Sequence, residues 1–246
     1  DPDATSGARI TATVVESAPP HDCAADAEPC NIIIKGGPGV GRVTLPGLPV
    51  PVGQAAINPV PRQQIGMALQ AHEHVHPHGL AHAGKARLTV FISVPKGIEL
   101  AHKTFNPRLG IEGGISILGT QGTVRPYSHA AWKATIEQGL AVAAATGCPT
   151  LCLTTGRRSE RLLMERYPDL PERCFVQVAD FAQFSLHAAG AMGFEQIVWG
   201  CFFGKLVKLA QGHAYTHAKD STLDMQALAQ QAEAAGAACV SEIGRC

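Results

Sequence analysis

Strand-like apolar runs alternate with helical patterns through the second half of this 246-residue chain, and that alternation leaves few folds open. The runs cover residues 149–154 (PTLCLT), 173–178 and 195–201 (EQIVWGC), and helical patterns follow them at 159–166, 180–191 and 204–211. Strands and helices that alternate at this spacing predict βαβ units around a parallel sheet. We therefore expect residues 111–246 to form a doubly wound α/β domain.

Polar residues predict where several helices of this half begin. Ser128 precedes an Ala-rich helical pattern that continues to about residue 147. Asp180 with Gln183, and Ser221 with Asp224, have the spacing of a capping box, in which a polar side chain accepts a hydrogen bond from the first turn.

The first half has a different pattern, with strand-like runs at 8–15, 31–35 and 86–94 and few helical stretches. Residues 36–61 are rich in Gly and Pro, and the density of these residues between 36 and 53 excludes a helix or a central strand there. Val and Leu alternate with these residues, so we expect an ordered, packed loop and then a helix that Pro61 opens. We predict a separate α+β domain over residues 1–110.

Composition narrows the class of protein further. Hydrophobic residues make up 46% of the chain and charged residues 16%, which is a globular composition and excludes disorder over the whole length. No apolar run approaches the roughly 20 residues that span a bilayer, and the eight cysteines form no CxxC pair. We expect a reduced, cytoplasmic protein with no membrane partner.

Charge is distributed unevenly although the net charge is zero. Residues 29–110 hold eight basic and two acidic groups, whereas residues 1–28 hold one basic and six acidic groups. A basic stretch in a neutral protein indicates a small polyanionic ligand rather than a nucleic acid, which would require a basic face over a whole domain. A solvated surface explains the same pattern equally well.

The ends of the predicted parallel strands are the expected ligand sites, because ligands of doubly wound sheets bind beyond the carboxyl ends of the strands. These ends are residues 154–156, 178–180 and 201–204. Lys205 follows in the first turn of a helix, where the helix dipole disfavours a cation, and so indicates a ligand. The alternative is a surface lysine whose stem lies along apolar side chains.

Common nucleotide-binding and catalytic signatures do not occur in the sequence. GGPGVGR (36–42) lacks the lysine and hydroxyl residue of a P-loop, and GCFFGK (200–205) is one residue short of one. No Ser–His–Asp or Cys–His spacing stands out, so no catalytic residue is assigned. The five histidines of residues 72–82 have no fixed tetrahedral arrangement, and we predict no metal site. His217 is a better ligand candidate, with a structural histidine as the alternative.

Three long strings resemble the signature stretches of one protein family. They are GGPGVGRVTLPGLPVPVGQAAINPVPR (36–62), KTFNPRLGIEGGISILGTQGTVRPYS (103–128) and GKLVKLAQGHAYTH (204–217), in the expected order. They are similar to those of the CbiD family, the cobalt-precorrin-5B C1-methyltransferases of oxygen-independent cobalamin biosynthesis. The resemblance covers residues 31–236.

The resemblance implies methyl transfer from S-adenosylmethionine to C1 of a cobalt-bearing corrinoid, which gives cobalt-precorrin-6A. It also implies an α+β domain followed by a Rossmann-like domain. A methyl sulfonium requires only a carbon nucleophile held in line, so the protein would position two ligands and exclude water. The alternative is a non-catalytic tetrapyrrole- or nucleotide-binding protein. Oligomeric state is left open, with a homo-oligomer allowed.

This function gives expected roles to two sets of residues. Corrinoids carry acetate and propionate arms, which cations bind, and glycines let a backbone approach a ligand closely, although turns alone would explain the glycines. The expected substrate contacts are Arg42, Asn58, Arg62, Arg108, Lys205, Lys208 and His217. The expected contacts of the methyl donor are Gly113, Gly114, Gly119, Thr120, Gly122, Thr154, Gly156 and Asp180, the last as a ribose partner.

Overall fold

The computed structural model describes residues 4–17, 32–75, 87–119 and 128–236. Within these ranges the protein is mixed α/β with several small sheets. The chain divides into two compact units, residues 1–131 and 132–246. This division lies further along the chain than residue 110, because short strands at 111–115 pair with strands near residue 40. The domain boundary after residue 110 stays a prediction.

The first unit contains a strand in each of the three runs that the sequence predicts there, together with short strands that it does not predict. Its elements are β1 (Thr11–Ser17), β2 (Ile32–Gly36), β3 (Gly39–Val40), β4 (Arg42–Val43), α1 (Pro59–Val75), β5 (Arg87–Ser93), α2 (Gly97–Ala101), β6 (Ile111–Glu112) and β7 (Gly114–Ile115). Strands β1, β5 and β2 form a sheet in that order, with β1 antiparallel and β2 parallel to β5.

Apolar residues of this sheet and of α1 share a core. Val90 and Ile92 of β5 are at most 5% exposed and belong to a cluster with Ile57. Ile65 and Leu69, one turn apart on α1, pack against that cluster. The spacing places both side chains on one face of the helix, which therefore covers the sheet.

The Gly-rich segment is packed tightly against its own unit. Gly39, at φ +76°, lies between Gly97 and Gly114, and a Cβ added at either neighbour would overlap the Gly39 carbonyl. A Cβ at Gly37 would likewise collide with Ser93. These glycines thus allow segments of backbone to approach each other closely. This close packing explains the glycines without a turn or a bound ligand.

The second unit contains the three parallel strands that the sequence predicts. Its elements are α3 (His129–Ala145), which begins three residues before the unit, β8 (Thr150–Thr154), α4 (Arg157–Arg166), a 3-10 turn (Glu172–Cys174), β9 (Phe175–Gln177), α5 (Ala182–Gly190), β10 (Gln196–Gly200), α6 (Phe203–Ala210) and α7 (Met225–Ala234). The sheet order is β10-β8-β9, and both strand pairs are parallel.

The core of this unit lies between the sheet and α3. Leu151 and Leu153 of β8, Phe175 of β9 and Ile136 and Leu140 of α3 are at most 1% exposed and form one cluster. Fully burying a side chain of this size stabilises the fold by about 1.5–3 kcal/mol. The sheet edge is thus held on a rigid core.

The helix caps match the predictions in part. Ser128 Oγ accepts from the Ala131 N–H at 3.1 Å, which confirms the predicted start of α3. The capping box of Asp180 is wrong, because α5 begins after Phe181 and the Asp180 carboxylate bonds other residues. Ser221 is not a cap either, since it donates to His217 O, and Asp224 caps α7 by accepting from the Ala227 N–H at 2.9 Å.

Among the described residues, no helix combines the length and the apolar character that crossing a bilayer requires. Cys148, Cys152 and Cys174 are buried free thiols in the second unit. Burial raises the pKa of the Cys152 thiol to about 11. Burial, followed by the hydrogen bond to Cys148, raises the pKa of Cys174 to about 12.

Candidate functional site

The carboxyl edge of the parallel sheet brings together three loops of the second unit. Beyond the strand ends, Val178 N–H donates to Thr154 O at 2.7 Å, and Thr155 N–H donates to Gly200 O at 3.2 Å. Strand β8 is central, so the loops after β9 and β10 leave the sheet on either side of it. This edge is where the sequence predicts a ligand.

An ion pair joins the two outer loops. Lys205 Nζ lies 2.9 Å from Asp180 Oδ1, with the two side chains 30% and 17% exposed. Asp180 follows β9 and Lys205 follows β10, so the pair joins the loops on the two sides of the central strand. The cation at the start of α6 therefore has a partner within the chain, and its position does not by itself require a ligand.

Asp180 is held by one carboxylate oxygen. Thr216 Oγ1 also donates to Asp180 Oδ1, at 3.0 Å, and the Thr216 N–H donates to the Asp180 carbonyl at 3.1 Å. In the described part of the chain, no hydrogen bond or ion pair is made to Oδ2. The second oxygen is thus available to accept a hydrogen bond from a ligand.

Lys208 lies beneath this loop rather than at the surface. Lys208 is only 8% exposed, and its Nζ donates to Thr216 O at 3.2 Å. The sequence predicts Lys208 as a partner of substrate carboxylates, whereas the structure directs its ammonium to a backbone carbonyl of its own unit.

Aromatic rings line the same loop. The Tyr215 ring packs 5.1 Å from that of Phe181 and is stacked 6.0 Å from the imidazole of His217, measured between ring centroids. Burial, and then the negative charges of Asp180 and Asp220, raise the pKa of Tyr215 above its usual value. His217 Nδ1 lies 3.2 Å from Asp220 Oδ2, a local pair at the surface.

Two other predicted donor contacts lie at the end of β8. Thr154 is fully buried, and among the described residues its Oγ1 has no hydrogen-bond partner. Gly156 is in an extended conformation and directly precedes α4. A Cβ built on Gly156 would meet no atom of the described ranges within 4 Å, so they leave the space beside this residue open.

Apolar side chains are exposed beside β10. Phe202 and Phe203 are 45% and 67% exposed, and the guanidinium of Arg158 lies 5.0 Å from the Phe202 ring. Cys201 lies between these rings and the sheet. Burial raises the pKa of its thiol, and the Trp199 side chain and Lys205 oppose part of that rise.

Four predicted substrate contacts lie in the first unit. Arg62 donates to the carbonyls of Ile57, Ile34 and Ala55 at 2.8, 3.2 and 3.3 Å, and burial lowers the pKa of its guanidinium. Arg42, which is exposed, donates to Gly53 O at 2.7 Å. Arg62 thus ties together segments of its own unit.

Arg108 and Asn58 are the other two predicted substrate contacts of the first unit. The guanidinium of Arg108 lies 5.7 Å from the Phe105 ring and is half-buried. Asn58 is also half-buried, and its backbone N–H donates to Ile117 O at 2.9 Å.

The predicted glycine contacts of the donor divide into two kinds. Gly113 and Gly119 have φ of +79° and +148°, and no atom of the described residues lies near the position that a Cβ would take. Gly114 is buried, and close packing against Gly39 requires a glycine there. Thr120 and Gly122 lie outside the described residues, as do the side chains of 72–82. In the described ranges, no cluster of three or more His, Cys, Asp or Glu suits a metal ion.

Sequence reasoning missed Thr216. Its contacts with Asp180 join residues 36 positions apart, and no local pattern marks such a pair. The one sign of it was its place in the string GHAYTH, next to the candidate His217. Arg158 beside Phe202 was missed for the same reason, because the two residues meet only once the sheet has formed.

Comparison with known proteins identifies relatives of the chain. A model of the CbiD family matches residues 1–126. The cobalt-precorrin-5B C(1)-methyltransferase of Nitratidesulfovibrio vulgaris is 57% identical over 236 residues, which are 96% of this chain and 57% of that protein. The protein of the same name from Geobacillus thermodenitrificans is 49% identical over 237 residues, 96% of this chain and 59% of that protein.

A solved structure gives a weaker likeness. A cobalamin biosynthesis protein from Archaeoglobus fulgidus is 24% identical, with a TM-score of 0.34, and the match covers 96% of this chain and 64% of that one. A TM-score of this size does not show a shared fold. The chain spans less than two thirds of the length of each of these relatives.

Proposed function

Because the chain belongs to the CbiD family, we propose that it acts in the methylation of cobalt-precorrin-5B at C1, with S-adenosylmethionine as the methyl donor. The observation that carries this proposal is the identity of 57% to a cobalt-precorrin-5B C(1)-methyltransferase across 96% of the chain. The product would be cobalt-precorrin-6A. A cytoplasmic location and the absence of nucleic acid partners stay predictions, and the oligomeric state stays open.

The donor is proposed to bind at the carboxyl edge of the parallel sheet. Asp180, whose Oδ2 no described residue bonds, follows the second strand of the unit, where acidic residues of Rossmann-like domains accept hydrogen bonds from a ribose. The open space beside Gly156 and the unpartnered Oγ1 of Thr154 lie at the end of the neighbouring strand. These features support a Rossmann-like arrangement of the second unit and fit a nucleoside. Gly113, Gly119, Thr120 and Gly122 stay candidates for the same ligand.

The corrinoid is proposed to bind through cations. Lys205 and Arg108 keep part of their surface exposed, and Arg42 is exposed on a short strand. A carboxylate arm binds such groups through charge-assisted hydrogen bonds. His217 and Asn58 would add polar contacts. Arg62, Lys208 and Gly114 have contacts within their own unit that account for them, and their roles toward ligands rest on the family resemblance alone.

The bound donor supplies an electrophilic methyl group on sulfur. The residues of this chain would orient the two ligands and keep water away, which requires no side-chain nucleophile. The negative charge of Asp180, neutralised in part by Lys205, would bind the ribose. The apolar rings at the edge, Phe202 and Tyr215 among them, would limit the access of water.

A turnover assay tests the proposal directly. The chain is incubated with cobalt-precorrin-5B and S-adenosylmethionine, and the expected result is cobalt-precorrin-6A together with S-adenosylhomocysteine. Isothermal titration with S-adenosylhomocysteine separates this function from the binding-protein alternative. A protein that binds the corrinoid, ignores S-adenosylhomocysteine and gives no turnover would contradict the proposal.

A further inference from the structure

Thr216 holds the Asp180 carboxylate from a position that solvent does not reach. The residue is 2% exposed, and it contacts Asp180 twice, through Oγ1 and through the backbone N–H. The Thr216 hydroxyl and the Lys205 ammonium both donate to the same carboxylate oxygen, Oδ1. The carboxylate is therefore fixed in rotation, with Oδ2 as the oxygen that remains to bind a ligand.

Lys208 in turn holds Thr216. Its ammonium is buried, and among the described residues the hydrogen-bond partner of this ammonium is the Thr216 carbonyl. Burying an ammonium group without a carboxylate partner is costly, and packing alone would be served better by an apolar side chain. The hydrogen bond of this ammonium restrains the Thr216 backbone.

The backbone before Asp180 is also held in an unfavourable conformation. Ala179 has φ +49°, in the left-handed region, where the Cβ of an L-residue is crowded. Such a conformation persists where surrounding contacts determine it, and the two Thr216 bonds to Asp180 are contacts of that kind. Strain, a buried cation and a doubly held carboxylate thus occur within one small region.

We propose that Thr216 and Lys208 are positioning residues for the donor site: Lys208 fixes the Thr216 backbone, and Thr216 fixes Asp180 so that Oδ2 faces the ribose hydroxyls. Neither residue touches the ligand. The inference rests on the proposed function, because it takes a ribose as the partner of Asp180. It gives Lys208 a role through the protein rather than through a substrate carboxylate.

Isothermal titration with two probes tests this assignment. The probes are S-adenosylhomocysteine and its analogue without the 2′- and 3′-hydroxyls, and the readout is the ratio of their Kd values. Wild type is expected to favour the hydroxylated probe by roughly tenfold or more, since a hydrogen bond to a charged group is involved. Asp180→Asn, Thr216→Val and Lys208→Met are expected to lose most of this preference.

Matched variants separate positioning from general damage. Thr216→Ser keeps the hydroxyl and is expected to keep the preference. Thr150→Val removes a hydroxyl that bonds Gln196 at the opposite end of β8, and it is expected to bind both probes as wild type does. Thermal unfolding followed by circular dichroism confirms that each variant is folded, and Thr216→Val carries the test if Lys208→Met is not.

The outcomes distinguish the inference from the function beneath it. A Thr216→Val protein that keeps the preference while Asp180→Asn loses it overturns the positioning role and leaves the proposed function standing. If Asp180→Asn keeps the preference, the ribose contact is wrong and the inference falls with it. A wild type that binds neither probe overturns the proposed donor as well.

Discussion

Lys205 Nζ and Asp180 Oδ1 lie 2.9 Å apart although the two residues follow different strands. The contact exists because β9 and β10 flank β8 in a parallel sheet, so that all three carboxyl ends share one edge. The pair compensates a cation at the start of α6, where the helix dipole disfavours it. It also leaves Lys205 partly exposed, and this exposed part is what a substrate carboxylate would contact.

Replacing Lys205 by Met tests both properties of the pair. We expect the free energy of unfolding to fall by about 1 kcal/mol, because the lost bond is charge-assisted yet partly screened by solvent. Corrinoid affinity, measured by titration, should fall by roughly tenfold if the ammonium binds a carboxylate arm. The exposed Lys219, replaced by Met, is the control and should change neither. Unaltered corrinoid affinity in the Lys205 variant would remove this residue from the substrate site.

Alanine substitutions at neighbouring glycines separate packing from ligand binding. Gly114→Ala would force a Cβ into the Gly39 carbonyl, and we expect it to lower the free energy of unfolding by about 1–3 kcal/mol or more. Gly113→Ala adds a Cβ in open space, so only its positive φ should cost free energy, about 1 kcal/mol. Urea unfolding of both proteins gives the comparison. If Gly114→Ala is as stable as wild type and instead loses S-adenosylhomocysteine, Gly114 belongs to the donor site.

Arg62 is expected to act mainly on stability. Lysine cannot reach three carbonyls as the guanidinium does, so Arg62→Lys should lower the free energy of unfolding by about 1–3 kcal/mol. The control is Arg42→Lys, which changes one bond at an exposed side chain and should cost less than about 0.5 kcal/mol. Equal stability of the two variants, combined with weaker corrinoid binding by Arg62→Lys alone, would restore Arg62 to the substrate site.

Local patterns predicted the elements of the second unit. The runs around Leu151 and Phe175 are strands whose side chains are buried in a core, and the run around Ile197 is a strand that packs against that core while partly buried. An apolar run indicates such burial. Ser128 was recognisable as a cap because the hydrogen bond that it accepts comes from a residue three positions away. The strand ends then followed from the parallel sheet, which brought Asp180 and Lys205 to one edge.

Contacts between distant segments could not be predicted in the same way. The spacing of Asp180 and Gln183 is that of a capping box, but Lys205 and Thr216 bind the carboxylate instead. The reason why Gly39 and Gly114 are glycines is visible only where their strands meet. A single sequence reports what each residue prefers locally, and these contacts depend on pairs that are close only after folding.

The buried thiols make the stability of the protein depend on pH at the alkaline end. Cys152 and Cys174 have pKa values of about 11 and about 12 in the folded protein, against about 8.5 for a thiol in an unfolded chain. Below about pH 8 both states hold these protons, so the contribution of the two thiols is fully present there. Above that pH the unfolded chain loses protons first, and the free energy of unfolding should fall as the pH rises toward the folded values.

Urea unfolding at several pH values between about 8 and 10.5, in the presence of a reducing agent, measures this dependence. Cys152→Ala should be less stable than wild type at every pH, because it leaves a cavity in the core, yet its stability should fall less steeply. Tyrosines and lysines also titrate in this range, but they are common to both proteins and cancel in the difference between the two curves. Parallel curves would show that the Cys152 thiol ionises as easily in the folded protein as in the unfolded chain, because solvent reaches it.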